Sequence, residues 1–508
     1  MRMFSARALY VLVGACAFSV GCNSASDATL TEPAVVPLLS NGSDVSTFAQ
    51  TKDFLKSVTV EGVREHQAAF QQIADANGGT RASGSPGDAA TVAYIRQRML
   101  AAGYDVSVQS FDYPFVGDRT PPLLQQISPA ITYVDGVDFK TMTNSGAADV
   151  TAPLVAVGLV IPAMVNQSTS GCEAADFAGF PAGSIALMQR GACDYRDKVI
   201  NARNAGAVGH IIFNDGAPDR TGLIAGNLLT PALVHEAVVG TTFAVGNALR
   251  NGVLNGPTGV SVRLRTDYGT ESRTAQNVIA ETRSGDPDRV VVVGSSRGLA
   301  EYGPMINESS GAAAMVEIAE TFAERERSPR NRVRFGWFAF GPADNLGAAE
   351  YVESLSAAEQ ARVSAMLAFD VLGSANGIRS LYDGDGSDGQ IGAPVGSGAI
   401  EGLFSAYFAT ADLPVASSVG QLPGTYAPFA ALGIPVGGLD AGTSTVKTPA
   451  LAATFGGTPG VAFDPCFRLL CDSLANVNVT ILDQLTDAAA HAVLLLSKRN
   501  FGKDPLAP

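Results

Sequence analysis

The chain has 508 residues, of which 46% are hydrophobic and 16% are charged, and its formal net charge is −14. A chain of this length and composition can bury a sizeable core and is long enough for several domains. The acidic balance argues against a surface that binds nucleic acid or an anionic membrane.

The first 22 residues have the pattern of an export signal. Arg2 and Arg7 precede an apolar run over residues 8–20 that is too short to cross a bilayer as a mature helix. The run closes with Ser-Val-Gly before Cys22, which is similar to a bacterial lipobox with Cys22 as the lipidated residue. Ordinary cleavage and release is the alternative. We therefore expect an exported protein, either secreted or a lipoprotein of the outer or cytoplasmic membrane that faces the periplasm or the exterior.

After the signal, the chain alternates between helical and strand-like patterns. Residues 23–48 are rich in Ser, Thr, Asp and Pro and predict a flexible tether. Helical periodicity then covers residues 54–100 around a glycine-rich loop at 77–87. Strands are predicted at residues 104–113, 290–293, 333–340 and 366–371, and later helices at 400–408 and 479–498. Strands that alternate with helices favour an α/β fold with a mostly parallel central sheet flanked by helices.

Residues 148–268 differ from this pattern. They contain the run Gly-Cys172-Glu-Ala-Ala-Asp-Phe-Ala-Gly-Phe-Pro, which ends in Arg-Gly-Ala-Cys193 and is followed by a helical segment and a strand that begins at His210. This arrangement resembles the β-rich protease-associated domain, a non-catalytic lid or binding module. His210 and His235 both fall in this region, and a histidine that begins a buried strand is more often structural than a metal ligand.

The cysteines agree with export. Two of the six belong to the signal, and the remaining even number is typical of an oxidising compartment. We predict two local disulfides, Cys172 with Cys193 and Cys466 with Cys471. A cysteine-rich metal site is the rival interpretation, but neither pair has a neighbouring histidine and the spacing is unlike that of a zinc ribbon.

The loop over residues 295–308 is the predicted functional site. It follows the buried strand at 290–293 and precedes a helix that Ser309 or Ser310 can cap. Sites in open α/β sheets lie at the carboxyl ends of the strands. This loop is therefore where reactive or binding side chains are expected.

The two ends of this loop carry a resemblance. It opens with Gly294-Ser-Ser-Arg-Gly and closes with Ile306-Asn-Glu-Ser. This resembles the secreted bacterial two-zinc aminopeptidases, metallo-exopeptidases of the aminopeptidase S and Y type, whose strand ends in Gly-Ala-His-x-Asp and whose loop closes with Ile-Asn-Asp-Asn. The resemblance implies an aminopeptidase-like domain over residues 49–147 and 269–500, with the protease-associated domain inserted at 148–268.

The first ligand positions implied by the resemblance have changed. The position of the first histidine ligand holds Ser296, and the position of the aspartate that orients it holds Gly298. The bridging aspartate corresponds to Glu308, which is still a carboxylate but one methylene longer. Zinc requires imidazole nitrogen, thiolate or carboxylate ligands, so a serine hydroxyl is a poor replacement for the histidine.

The remaining positions depart further from the family pattern. The glutamates that serve as base and ligand correspond to Gly341 and Pro342, which carry no side-chain acceptor. The next aspartate is present as Asp370, but the last histidine position holds Arg468 and the oxyanion-donating tyrosine position holds Phe467. The metal-site remnants are thus Glu308 and Asp370. Loss of the base or of the oxyanion donor alone lowers the rate about a hundredfold or more, so these departures from the family pattern predict no zinc and no zinc catalysis.

Other interpretations of these residues stay open. Arg468 could pair with Glu308 or Asp370 and occupy the space of a metal, or the two carboxylates, with Glu301, could hold a hard cation such as calcium or magnesium. The run around Ser296 also fits Gly-x-Ser-x-Gly, the nucleophile elbow of serine hydrolases, with Asp370 and His491 following in the order of a triad. The acidic run at residues 383–388 fits a turn better than an EF-hand.

The sequence therefore predicts a non-catalytic member of the zinc aminopeptidase family that binds peptide or protein in the cell envelope. An active aminopeptidase with a rearranged metal site is the first alternative, and a serine hydrolase at Ser296 is the second. No nucleic-acid partner is expected, and membrane contact is expected only through an N-terminal lipid anchor.

Overall fold

The computed structural model describes residues 35–36, 42–161, 165–229, 234–298, 303–339, 345–388, 393–417, 424–502 and 506, with side chains from residue 48 onward. The α-helices are α1 (Gly42–Leu55), α2 (Val60–Ala76), α3 (Pro86–Ala101), α4 (Tyr195–Asn204), α5 (Phe243–Leu249), α6 (Ser310–Arg325), α7 (Leu346–Ser354), α8 (Ala357–Gln360), α9 (Ser397–Thr410), α10 (Ala427–Ala431), α11 (Pro449–Phe455) and α12 (Val479–Lys498). The strands are β1 (Val35–Val36), β2 (Asp105–Asp118), β3 (Leu123–Gln126), β4 (Ile131–Thr132), β5 (Phe139–Thr141), β6 (Ala147–Ala156), β7 (Ile185–Gln189), β8 (Gly209–Phe213), β9 (Ala237–Thr241), β10 (Gly256–Glu281), β11 (Asp286–Ser296), β12 (Asn331–Phe338), β13 (Val363–Phe369), β14 (Ser380–Leu381), β15 (Val415–Ser417) and β16 (Val436–Asp440).

The main domain has the α/β architecture that the sequence predicts. Its sheet runs in the order β1-β15-β14-β16-β13-β11-β12-β10, and β2 pairs with β10. The pairs β12–β11, β11–β13 and β13–β16 are parallel, whereas β10 and β2 form an antiparallel edge. The parallel centre places the carboxyl ends of four strands side by side, where a site is expected.

The centre of this sheet is buried because helices cover both faces. Residues 290–293 of β11 are unbroken valine and at most 2% exposed, which is the composition of a strand covered on both sides. Helix α6 packs closely at one end, since a Cβ atom on Gly311 would lie 1.7 Å from the Phe369 carbonyl oxygen. Only glycine permits this approach, which brings the start of α6 against the end of β13.

Helix α12 also belongs to the core. By length and composition it could cross a bilayer, with a mean hydropathy of 1.3 over its most apolar window, but 67% of that window is buried inside the fold. Burial against α1, α6 and α9 accounts for its apolar character, as in the core helices of water-soluble domains.

The inserted domain has its own sheet, in which β6, β7, β8 and β9 pair in parallel. It is joined to the main domain by a ribbon in which Asp105–Asp118 pairs antiparallel with the second half of β10. The first half of β10 pairs with β6. The predicted boundary at residue 268 therefore lies inside one continuous strand, because the alternation that favours a strand continues across it.

Three local predictions can be compared with the structure. Both predicted disulfides, Cys172–Cys193 and Cys466–Cys471, are present. Part of the predicted tether is instead ordered, since α1 begins at Gly42 and β1 pairs with β15. Its Phe48 ring lies 5.8 Å from that of Tyr407 on α9, and such tertiary packing stabilises a helix that composition alone does not predict. Cys22 lies outside the described residues.

Candidate functional site

The predicted site residues converge at the carboxyl ends of the parallel strands. Ser296 is the last residue of β11, and Asp370 follows the last residue of β13. Glu308 lies just before α6, and Arg468 lies on the loop closed by the Cys466–Cys471 disulfide. The positions Gly341, Pro342 and Glu301 lie outside the described residues.

Asp370 is held by donors from two neighbouring segments. Its Oδ1 atom accepts hydrogen bonds from the Ser296 N–H at 2.8 Å and from the Thr425 Oγ1 hydroxyl at 2.7 Å. Its Oδ2 atom accepts from the Thr425 N–H at 3.3 Å. Both oxygens that could bind a cation therefore have hydrogen-bond donors already.

Glu308 and Arg468 form an ion pair at this edge of the sheet, and we term the region around Ser296, Glu308, Asp370 and Arg468 the cleft. Arg468 Nε lies 3.2 Å from Glu308 Oε1, and the Glu308 side chain is 3% exposed whereas that of Arg468 is 31% exposed. The Arg468 guanidinium also lies 4.8 Å from the centre of the Phe467 ring, which stabilises its position by a cation–π contact. The pairing with Glu308 that the sequence suggested is present.

A layer of buried polar residues lies next to the cleft. We term this layer the polar frame, and it consists of Asn307, Ser374, Asp464 and Asp472. Asn307 Nδ2 donates to Asp464 Oδ2 at 2.6 Å and to Ser374 Oγ at 3.2 Å. Asp472 accepts from the N–H groups of Asn307 and Glu308 at 2.7 and 3.1 Å. The frame thereby fixes the loop that carries Glu308.

The frame has an unusual protonation equilibrium. Burial, together with the charges of Asp464 and Glu308, raises the pKa of Asp472 to about 7 although two backbone N–H groups favour its ionised form. A carboxyl group that is fully buried beside two others is expected to retain its proton at mildly acidic pH.

Two buried arginines support the same loop, and sequence reasoning assigned neither of them a role. Arg81, from the glycine-rich loop before α3, donates to the carbonyl oxygens of Pro304 and Met305 at 3.0 and 2.9 Å. Arg297 pairs with Asp88 at 2.7 Å, and both side chains are almost completely buried. The signal that could have indicated them is a charged residue within a glycine-rich segment, where small neighbours leave room for a buried guanidinium.

A two-zinc centre needs several imidazole or carboxylate ligands around each ion. Of the predicted ligand positions that the structure describes, Ser296 and Arg468 offer no such atom, and the guanidinium of Arg468 adds positive charge beside Glu308. Clusters of three or more candidate ligands occur at two places in the described chain, and neither includes Glu308 or Asp370. Of the predicted ligand positions that the structure describes, Glu308 and Asp370 are thus the ones that carry a carboxylate.

The structure does not assemble the serine hydrolase triad from the predicted residues. Ser296 Oγ accepts from the Gly298 N–H at 3.1 Å, and Asp370 is bonded as described above. His491 lies on α12, where its Nδ1 is 2.7 Å from Thr51 Oγ1 and its ring centre is 5.0 Å from that of Tyr407. Burial lowers its pKa to about 4, as in a histidine of the hydrophobic core.

The two histidines of the inserted domain and the acidic run at residues 383–388 were the other candidates in the sequence. His210 is completely buried in β8, and burial and the nearby charge of Arg203 lower its pKa to about 3. His235 is exposed at the edge of the inserted domain. In the acidic run, Asp383 accepts from the backbone N–H groups of Gly386 and Asp388, which is the arrangement of the predicted turn.

Comparisons with known proteins give a consistent family. Residues 277–493 match peptidase family M28, and residues 150–249 match the PA domain. An aminopeptidase of Pseudomonas aeruginosa is 41% identical over 432 residues, which cover 84% of this chain and 79% of that protein. A probable leucine aminopeptidase 2 of Aspergillus fumigatus is 34% identical over 392 residues, covering 76% of this chain and 73% of that protein.

Solved structures agree on the fold. A zinc aminopeptidase from Bacillus subtilis superposes with a TM-score of 0.56 at 21% identity, covering 88% of this chain and 97% of that one. A peptidase M28 precursor from Shewanella amazonensis gives a TM-score of 0.57 at 18% identity, covering 92% and 99%. At these identities the likeness concerns the fold alone.

Proposed function

The chain belongs to peptidase family M28, and we propose that it is a non-catalytic member of that family. We propose further that it binds peptide or protein in the cleft. Its fold and its relatives are those of zinc aminopeptidases. The ion pair between Arg468 and Glu308 carries the proposal, because it puts a fixed positive charge where the resemblance implies zinc ligands. A metal ion at Glu308 would have to displace or tolerate this guanidinium.

The engagement of Asp370 supports the same conclusion. Its hydrogen bonds from Ser296 and Thr425 hold the carboxylate in place without a metal. The resemblance also assigns the base to Gly341 and the oxyanion donor to Phe467, which cannot perform these steps through their side chains. A cleft that keeps its walls but lacks these groups can still bind a peptide, since binding requires shape and polar partners rather than a base.

An active aminopeptidase with a rearranged metal site is the second candidate. Its support is the 41% identity to a protein named aminopeptidase over most of both chains. The intact polar frame agrees with it as well, because Asp464 and Asp472 still hold the loop before α6.

Hydrolysis assays separate the two candidates. The full chain, purified without chelator, is incubated with a panel of aminoacyl p-nitroanilides with and without added zinc, and we expect no turnover. Glu308→Gln serves as the comparison. Turnover that chelator abolishes and that Glu308→Gln reduces about a hundredfold or more would overturn the non-catalytic proposal. A fluorophosphonate probe should not label the chain, and labelling that disappears in Ser296→Ala would establish the serine hydrolase instead.

Binding is tested with a fluorescent pool of tryptic casein peptides. Saturable binding to the full chain that weakens in Arg468→Gln supports the cleft as the binding site. Equal binding by both proteins would move the site to the PA domain, and absence of binding would contradict the proposed function.

We also propose that the protein is exported, as the N-terminal pattern and the two disulfides favour. Lipidation at Cys22 is tested by mass spectrometry of the N-terminal peptide from membranes. A diacylglyceryl-modified Cys22 supports the lipoprotein, whereas an unmodified mature terminus in the medium supports release.

A further inference from the structure

Away from the cleft, three side chains that can bind a metal ion converge where α2 packs on α6. His66 comes from α2, and Glu317 and Glu320 lie one turn apart on α6. His66 Nε2 lies 3.8 Å from Glu317 Oε2 and 3.7 Å from Glu320 Oε2. These separations are too long for hydrogen bonds but near the ligand-to-ligand distance of about 3.4 Å that follows from tetrahedral zinc with bonds of about 2.0–2.2 Å.

The Nε2 atom of His66 is a buried polar atom whose surroundings indicate a ligand. The side chain is 1% exposed, and its Nδ1 atom is 2.7 Å from the Tyr94 hydroxyl. Nε2 has no hydrogen-bond partner among the described atoms. The tautomer in which Nδ1 donates to the Tyr94 hydroxyl places the lone pair of the ring on Nε2, where a metal ion can bind.

The two glutamates are held in positions that leave one oxygen each near Nε2. Glu317 Oε1 accepts from the N–H and the hydroxyl of Thr59 at 3.1 and 3.4 Å, which leaves Oε2 toward His66. Gly62 makes room for that oxygen, because a Cβ atom there would lie 2.2 Å from it. Arg98 donates to both oxygens of Glu320 at 2.5 Å, and ligand carboxylates are commonly oriented by such outer hydrogen bonds.

Charge and access are also suitable for a cation. Glu317 and Glu320 bring two carboxylates to the site beside one arginine, Arg98. A surface groove of about 580 Å³ borders the site and is lined by Tyr94, Arg98 and Glu320. Glu317 and Glu320 are 13% and 22% exposed, so an ion can enter from this side.

We propose that His66, Glu317 and Glu320 bind one divalent cation, Zn²⁺ by the nature of the ligands, which ties α2 to α6. One nitrogen and two carboxylate ligands leave a fourth position for water. The role is structural, because the ion would stabilise the packing of two core helices. This site is independent of the cleft, so one equivalent of bound zinc would not by itself indicate an active peptidase.

The test is a zinc titration of the full chain after removal of metal with chelator, followed by calorimetry and thermal unfolding. We expect one equivalent to bind and to raise the Tm. Glu317→Gln keeps the Oε1 acceptor for Thr59 but replaces the ligand oxygen Oε2 with an amide nitrogen. It should lower zinc affinity by at least about tenfold and abolish the rise in Tm. Glu324→Gln, on the same helix and groove, is the matched control and should bind zinc as the wild type does.

Several outcomes would overturn the site. Failure of the wild type to take up zinc at micromolar concentration would do so and would leave the non-catalytic proposal intact. Unchanged affinity in both Glu317→Gln and His66→Gln would also exclude it. Loss of zinc in Glu308→Gln instead would assign the ion to the cleft and contradict both proposals. If neither site variant folds, zinc X-ray absorption of the wild type decides, since one imidazole in the ligand shell is expected and none or several would exclude the site.

Discussion

The polar frame lies beside the side chains of Glu308, Asp370 and Arg468, which we term the wall of the cleft, but the two differ in how far they are buried. In the frame, Asp472 accepts from the backbone N–H groups of Asn307 and Glu308. In the wall, Glu308 pairs with the side chain of Arg468, and Asp370 is bonded largely through Thr425. Backbone N–H groups take part in both, but the frame residues are closed to solvent, whereas the wall contains the partly exposed side chain of Arg468.

This difference bears on the proposed function, in which the fold of the family is kept and its chemistry is not. The frame fixes the loop before α6, and the chain as a whole shares its fold with solved aminopeptidases. The groups that would bind zinc or move protons are side chains projecting from that frame. Similarity of fold therefore gives information about the frame, whereas activity depends on the side chains of the wall.

The largest effect is expected from a break in the frame. Asn307→Ala removes the donor to Asp464 and leaves the Gly373 N–H, which donates to Asn307 Oδ1 at 3.1 Å, without its acceptor in a buried site. We expect the free energy of unfolding to fall by about 3 kcal/mol, measured by urea denaturation. Asn204→Ala, on the exposed end of α4, is the control and should change it by less than about 0.5 kcal/mol.

The pH dependence of stability is the next largest effect. Because the pKa of Asp472 is about 7 in the folded protein and near 3.9 when unfolded, its contribution is complete below about pH 4 and is lost as the pH rises through 7. Asp472→Asn cannot titrate, so the difference in unfolding free energy between wild type and variant should fall by at least about 2 kcal/mol from pH 4.5 to 7.5. A difference that stays constant or rises over this range would contradict the raised pKa.

Local patterns predicted the parts of the fold that depend on local sequence. The valine run of β11 and the bounds of α12 follow from apolar periodicity, and the two disulfides follow from short cysteine spacings. The ordered start of α1 could not be predicted, because it depends on packing against α9 and α12. Composition describes a segment by itself and contains no information about a distant partner.

The buried arginines that hold the loop of the cleft were harder to predict than the residues of its wall. Positions such as Glu308 and Arg468 can be found by resemblance, since the motif around each is short. Arg297 pairs with Asp88, 209 residues away in sequence, and both are buried. An arginine in a loop is expected to be exposed unless its partner is known, and only the folded chain reveals that partner.

The ion pair of the wall should contribute less than the frame. Arg468→Gln leaves the buried Glu308 carboxylate without its cation, and Glu308→Gln removes the charge that Arg468 pairs with. Because Arg468 is 31% exposed, solvent screens the pair, and we expect a coupling energy of about 1–2 kcal/mol from the double-mutant cycle. A coupling energy near zero would mean that the ion pair does not stabilise the cleft. A coupling energy larger than the loss measured for Asn307→Ala would mean that the wall contributes more to stability than the frame.

The smallest effect is expected at Asp370. Thr425→Val removes the hydroxyl that donates to Asp370 Oδ1 but keeps the shape of the side chain and the Ser296 N–H bond. The loss should be about 1 kcal/mol in unfolding free energy. Thr486→Val is the matched control, because its hydroxyl is equally buried but has no hydrogen-bond partner among the described atoms, and we expect that variant to be neutral or more stable. If Thr425→Val lowered the unfolding free energy as much as Asn307→Ala, the hydrogen bonds of the wall would contribute as much to stability as those of the frame. The expected difference between the two regions would then be wrong.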